Sequence, residues 1–181
     1  MENKILNIAL VAHDGRKKEL LEWFIFNINK LCNHNLFATG TTGKLIQNII
    51  DEKYNNIDNH TYENIIMPNN DNVYIAMPTV KYTPKKYVNC LLSGPLGGDQ
   101  MIGAMIANGE IDMLIFFCDN LITQGHQQDI SALSRLASLY NIAFATNRTT
   151  ADMLITSPLF GNNDYVRIIP SAIENYANRK L

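Results

Sequence analysis

The chain reads as an α/β protein built on one doubly wound parallel sheet, and two patterns predict this. Short apolar runs, several lacking polar alternation, recur between amphipathic stretches of helical period, as strands covered by helices on both faces require. Polar and glycine-rich residues fall just after those runs, where an open α/β sheet places its ligand crevice.

The strands are expected at Ile8–Ala12, Leu36–Thr39, Val88–Ser93, Met113–Phe117 and Phe144–Thr146, with a sixth at Val166–Ile169. Between them Lys17–Lys30 carries Leu20, Leu21, Phe24 and Ile28 at helical spacing, and Gln100–Asn108, Ile130–Tyr140 and Thr150–Ile155 repeat the pattern more briefly. The segment from Asp51 to about Lys86, rich in Asn and Tyr, is far longer than the ~2–6 residues usual for an αβ connection. Within it Val73–Tyr82 has β propensity, interrupted by Pro78 as at an edge strand. An αβ connection opens at the amino ends of the strands, so this insertion is expected opposite the ligand rim, as a subunit contact or a disordered flap.

With 181 residues, 46% hydrophobic and 18% charged, the chain suffices for one core, and we expect a single domain over 1–181 with an insertion at about 51–86. A net charge of −2, with no basic cluster longer than Arg16-Lys17-Lys18, argues against general nucleic-acid binding. The apolar stretch Ile5 to Ala12 is too short for a signal peptide or a membrane span, so no membrane partner and a cytoplasmic location are expected. Cys32, Cys90 and Cys118 are widely spaced and read as small buried hydrophobes, implying neither a disulfide nor a zinc framework.

The strand ends gather on one rim. They are His13-Asp14, then Thr39-Gly40-Thr41-Thr42-Gly43, then Ser93-Gly94-Pro95-Leu96-Gly97-Gly98-Asp99, followed by the loop Asp119–Asp129 containing His126, and Thr146–Thr150. Asp99 is the only carboxylate adjoining the glycine turn, at the mouth of a helix whose first amides favour anions. Taken singly, TGTTG reads as an ordinary N-cap turn, and Asp99 and Asp129 each as an N-cap; their coincidence at one edge points to a site.

These blocks resemble the methylglyoxal synthase family. The matching pieces are Leu10–Asp14, Ala38–Gly43, Ser93–Gln100, Ile115–Phe117, His126 with Asp129, and Ala145–Asn147 with Ala151-Asp152, in family order over nearly the whole chain. The resemblance implies conversion of dihydroxyacetone phosphate to methylglyoxal and inorganic phosphate without metal or organic cofactor, in a homo-oligomer of hexameric type. It makes Asp99 the base that removes a proton from the hydroxyl-bearing carbon. Neutral His126, and His13, would donate to the enediolate oxygens, with Asp129 orienting His126 or relaying protons. Lys17, with Thr39, Gly40, Thr41, Thr42, Ser93 and Gly94, would hold the phosphate, and Arg179 would pair with Asp14 or contact phosphate.

The chain also departs from the family. Cys118-Asp119-Asn120 stands where the family has tryptophan, aspartate and proline, and Gly125 replaces a proline, so the loop before His126 is expected to be more mobile. Two alternatives stay open. The same fold resembles the allosteric domain of carbamoyl phosphate synthetases and the cyclohydrolase half of a purine enzyme, which would make the chain an anion-binding module. A mutase or isomerase working through the same enediolate would retain the phosphate.

Overall fold

Strand β1 (Asn7–Ala12) is buried at every position but its first, because in the computed structural model it lies at the centre of a five-stranded parallel sheet. The structure describes residues 3–55, 64–68, 74–78, 86–121 and 127–179. After β1 come α1 (Lys17–Leu31), β2 (Asn35–Thr39), α2 (Gly40–Ile50), β3 (Asn64–Pro68), β4 (Tyr74–Pro78), β5 (Val88–Leu91), α3 (Gly98–Ala107), β6 (Met113–Phe117), α4 (Gln127–Leu139), β7 (Ala143–Ala145), α5 (Arg148–Thr156) and α6 (Ser171–Ala177). The sheet order is β5-β2-β1-β6-β7, and every pairing in it is parallel.

The strand period of two sorts the core into two layers. Ile8, Leu10 and Ala12, with Ile115 and Phe117, face Leu20, Trp23 and Phe24 of α1, Ile46 of α2 and Ile155 of α5. Ala9 and Val11, with Leu114 and Phe116, face Ile102 and Ile106 of α3 and Ile130 and Leu133 of α4. Helices thus cover both sides, which is why β6 reads Met-Leu-Ile-Phe-Phe with no polar break and is buried throughout. Each large apolar side chain so buried contributes about 1.5–3 kcal/mol. The one polar atom of the Trp23 ring is satisfied too: its Nε1–H donates to Asp152 Oδ1 at 2.8 Å, tying α1 to α5.

Several expectations need correction. Val166–Ile169 forms no strand; Arg167 donates to the Ile111 carbonyl (3.1 Å) and Asn141 to the Ile168 carbonyl (3.0 Å), and these side chains hold the segment beside the sheet without a ladder. The Val88–Ser93 run pairs only to Leu91, since Ser93 turns into a 3₁₀ turn at Gly94–Leu96. Cys90 is exposed rather than buried, as β5 is an edge strand. The TGTTG residues continue directly into α2, with Thr39 at the N-cap position but making no side-chain cap bond.

Within the insertion, β3 and β4 pair antiparallel, Ile66 opposite Ala76, in a two-stranded sheet of their own. The β propensity is realised over Tyr74–Pro78; Val73 and Thr79–Tyr82 lie outside the described residues. Both described ends of the insertion meet the carboxyl end of α1. Tyr54 donates from its hydroxyl to Asn29 Oδ1 (2.8 Å), Lys86 donates to the Cys32 carbonyl (2.9 Å), and the Lys86 ammonium lies 5.0 Å from the Tyr54 ring. No helix among the described residues is long and apolar enough to cross a membrane.

Candidate active site

The chain winds outward from β1 to β2 and β5, then crosses back to β6, so the strand order reverses between β1 and β6. That reversal splays the loops at the carboxyl ends apart and leaves a crevice. A cavity of ≈ 720 Å³ occupies it, lined by His13, Asp14 and Lys17 from the first loop, Thr39, Gly40, Thr41 and Thr42 from the second, and Ser93, Gly94 and Asp99 from the third. Val11, Ala12, Pro95 and Phe116 complete the wall.

Backbone hydrogen bonds join the second loop to the third and close the third on itself. The Gly40 amide donates to the Leu92 carbonyl (3.1 Å), and the Gly98 amide to the Ser93 carbonyl (3.0 Å). Gly40 has φ +35, and a Cβ there would stand 2.7 Å from the Ser93 Cα, so only glycine lets the loops close to this distance. The Gly40 N–H is therefore engaged within the protein, and this residue's contribution is proximity rather than donation.

Asp99 is in the first turn of α3 rather than at its cap, which Gly97 occupies. Its carboxyl is 3% exposed and pressed against Gly94, where a Cβ would lie 2.8 Å from Oδ2 and 3.1 Å from Oδ1. A carboxylate held this closely at the edge of a cavity, with few rotamers open to it, is positioned for proton transfer.

His13 is 5% exposed and held from three directions. Its own amide donates to the Phe117 carbonyl (3.2 Å), and its ring stands edge-on to Phe116 with centroids 5.0 Å apart. The Asp119 amide donates to His13 Nδ1 at 2.7 Å. An Nδ1 that accepts must carry no proton, so the neutral ring keeps its N–H on Nε2. Sequence reasoning did not include Asp119 or Phe116 in the site. Asp119 acts through its main chain, which residue type does not reveal, and Phe116 is indistinguishable in sequence from any core position of β6.

Two helix starts border the cavity. Neither α1 nor α2 has a side-chain cap bond, so the first-turn amides at Thr41 and Thr42 are not claimed by a capping residue. Lys17 opens α1, and its Nζ lies 2.6 Å from Asp14 Oδ1. The lining therefore carries one lysine against the carboxylates of Asp14 and Asp99. Beside it Cys118 has its thiol pushed up to about 11 by burial, only partly opposed by Arg16, which keeps it protonated and inert at neutral pH.

The Arg179 guanidinium lies 5.5 Å from the Tyr176 ring centroid, and Asp14 is paired with Lys17. His126 falls outside the described residues. Asp129 is described by its backbone only, inside the first turn of α4, which begins at Gln127; the expected N-cap role is corrected accordingly. Among the described residues no group of three His, Cys, Asp or Glu could hold a metal ion.

Residues 80–146 match the family model described as MGS-like domain. The chain is 45% identical over 179 residues to a methylglyoxal synthase of Maridesulfovibrio salexigens, covering 99% of each protein. It is 44% identical over 175 residues to one of Proteus mirabilis, covering 97% of this chain and 91% of that protein. Its fold is similar to the crystal structure of methylglyoxal synthase from Elizabethkingia anophelis, with TM-score 0.71, 35% identity and coverage of 99% of this chain and 95% of that one.

Proposed function

The chain belongs to the methylglyoxal synthase family, and on that premise we propose that it is an enzyme converting dihydroxyacetone phosphate to methylglyoxal and inorganic phosphate, with the β1/β2/β5 rim as its active site. The observation that carries the assignment is the buried Asp99 carboxyl packed on Gly94, in the same cavity as Lys17 and the start of α2.

Asp99 takes a proton from the hydroxyl-bearing carbon; the C–H electron pair becomes the C=C bond and the carbonyl π pair moves to oxygen. His13 Nε2–H and His126 donate to the enediolate oxygens, stabilising charge where it develops. The former carbonyl oxygen then takes up a proton as the terminal hydroxyl gives one up; the pair left on the terminal oxygen closes to the aldehyde C=O, the C=C bond shifts to the phosphate-bearing carbon and the C–O bond to phosphate breaks, releasing inorganic phosphate and the enol of methylglyoxal, which ketonises. Lys17, the α2 amides and the Thr39, Thr41, Thr42 and Ser93 hydroxyls hold the phosphate as it leaves, with Gly94 beside it. Asp129 orients His126, and Arg179, just past the end of α6, pairs with Asp14 or contacts the phosphate. Residues 1–181 act as one domain with an insertion at about 51–86, in a cytoplasmic homo-oligomer that requires no cofactor.

Incubating the purified protein with dihydroxyacetone phosphate, without added metal, tests the assignment. Methylglyoxal and inorganic phosphate should appear in equal amounts. An isomerised product that keeps its phosphate would make the protein an isomerase or mutase, and binding without turnover would make it a regulatory module.

A further inference from the structure

Among the described residues lining the active-site cavity, the one lysine or arginine is already in contact with a carboxylate. Lys17 Nζ stands 2.6 Å from Asp14 Oδ1, one turn away at i, i+3. The lysine side chain is mostly covered, at 24% exposure, whereas the aspartate is 91% exposed. The other acid of the first turn, Glu19, is engaged elsewhere, 3.2 Å from Arg16 Nη1. Both Asp14 and Lys17 line the cavity, so an anion reaching Lys17 meets Asp14 there.

Resting on the phosphate-ester assignment above, we propose that Asp14 competes with the ligand's phosphate for Lys17, and so sets anion affinity and selectivity rather than holding substrate. An exposed carboxylate can swing into water at small cost, so the exchange is feasible. It is still a threshold. An incoming monocarboxylate would give Lys17 no more than Asp14 already gives, whereas a phosphate dianion brings a second charge and a third acceptor oxygen that the α2 amides can use. The pair thereby favours phosphorylated ligands over carboxylates of similar size.

Calorimetric titration with inorganic phosphate tests this on the wild type and on Asp14→Asn, Lys17→Ala and the double variant. The asparagine keeps shape in an exposed position, and an unchanged thermal midpoint would verify the fold. Asp14→Asn should bind phosphate roughly two- to five-fold more tightly, the scale of an exposed ion pair, with a parallel fall in KM for dihydroxyacetone phosphate. In the Lys17→Ala background the same substitution should bring no gain. Unchanged or weaker phosphate binding by Asp14→Asn would overturn the proposal, and so would a gain that persists without Lys17, which would mark a general field effect. If the wild type neither binds phosphate nor turns over the triose phosphate, the underlying assignment fails and the proposal falls with it.

Discussion

Two side chains of the rim owe their placement to what neighbouring residues lack or leave open. Asp99 sits where it does because Gly94 has no Cβ, and His13 keeps its proton on Nε2 because a main-chain amide occupies Nδ1. Gly94→Ala should therefore displace the carboxyl without altering its chemistry. Turnover is expected to fall on the order of 10²-fold, the cost of misplacing a reacting group by about an ångström, with phosphate binding much less affected. Steady-state kinetics beside a phosphate titration measures the split; an alanine variant with wild-type turnover would show that contact with Gly94 does not position Asp99. Chemistry-bearing types such as Asp99 and the threonines were legible in sequence because they follow apolar runs at one sheet edge, whereas Lys17, in a basic run at a helix start, was singled out only by the family resemblance. The Asp119 amide was not, because any residue carries one.

Among the elements, the strands of the main sheet were the most legible, since burial on both faces leaves runs such as Met113–Phe117 without polar interruption. The misread Val166–Ile169 shows the limit of the same signal: its β-branched residues fit a strand, but Val166 is 79% and Ile168 77% exposed, and the segment is tied in by its own Arg167 side chain and by that of Asn141. Helix starts shifted by two or three residues because glycine or glutamine begins them, as at Gly98 and Gln127. Where β1 begins, the Leu6 amide donates to His34 Nδ1 at 3.2 Å and the ring stacks edge-on to Phe160. Burial holds His34 below its ordinary 6.5. As pH falls through 6.5 the unfolded chain takes the proton and the folded chain does not, so stability is full above that value and declines below it. Denaturant unfolding at pH 8 and pH 5 should show a smaller loss in His34→Gln than in the wild type, and equal losses would remove His34 from the pH response.

For the whole molecule, the cavity lies at the carboxyl ends of β1, β2 and β5. The described ends of the insertion converge on the carboxyl end of α1 through Tyr54 and Lys86, so residues 56–85 can be exchanged for a short Gly/Asn turn with both anchors kept. If the segment serves assembly, light scattering should report a changed oligomer mass while turnover per site persists. Lost turnover at unchanged mass would place the segment in an active site instead. The proposed division of labour has Asp99 remove the proton while other groups hold the phosphate. It is tested most directly by Asp99→Asn, which keeps shape and deletes basicity, with phosphate release from dihydroxyacetone phosphate and calorimetric binding of inorganic phosphate measured on the same preparation. Turnover should fall by at least about 10²-fold with phosphate affinity essentially unchanged; turnover near wild type, or lost binding with intact chemistry, would rule Asp99 out as the base.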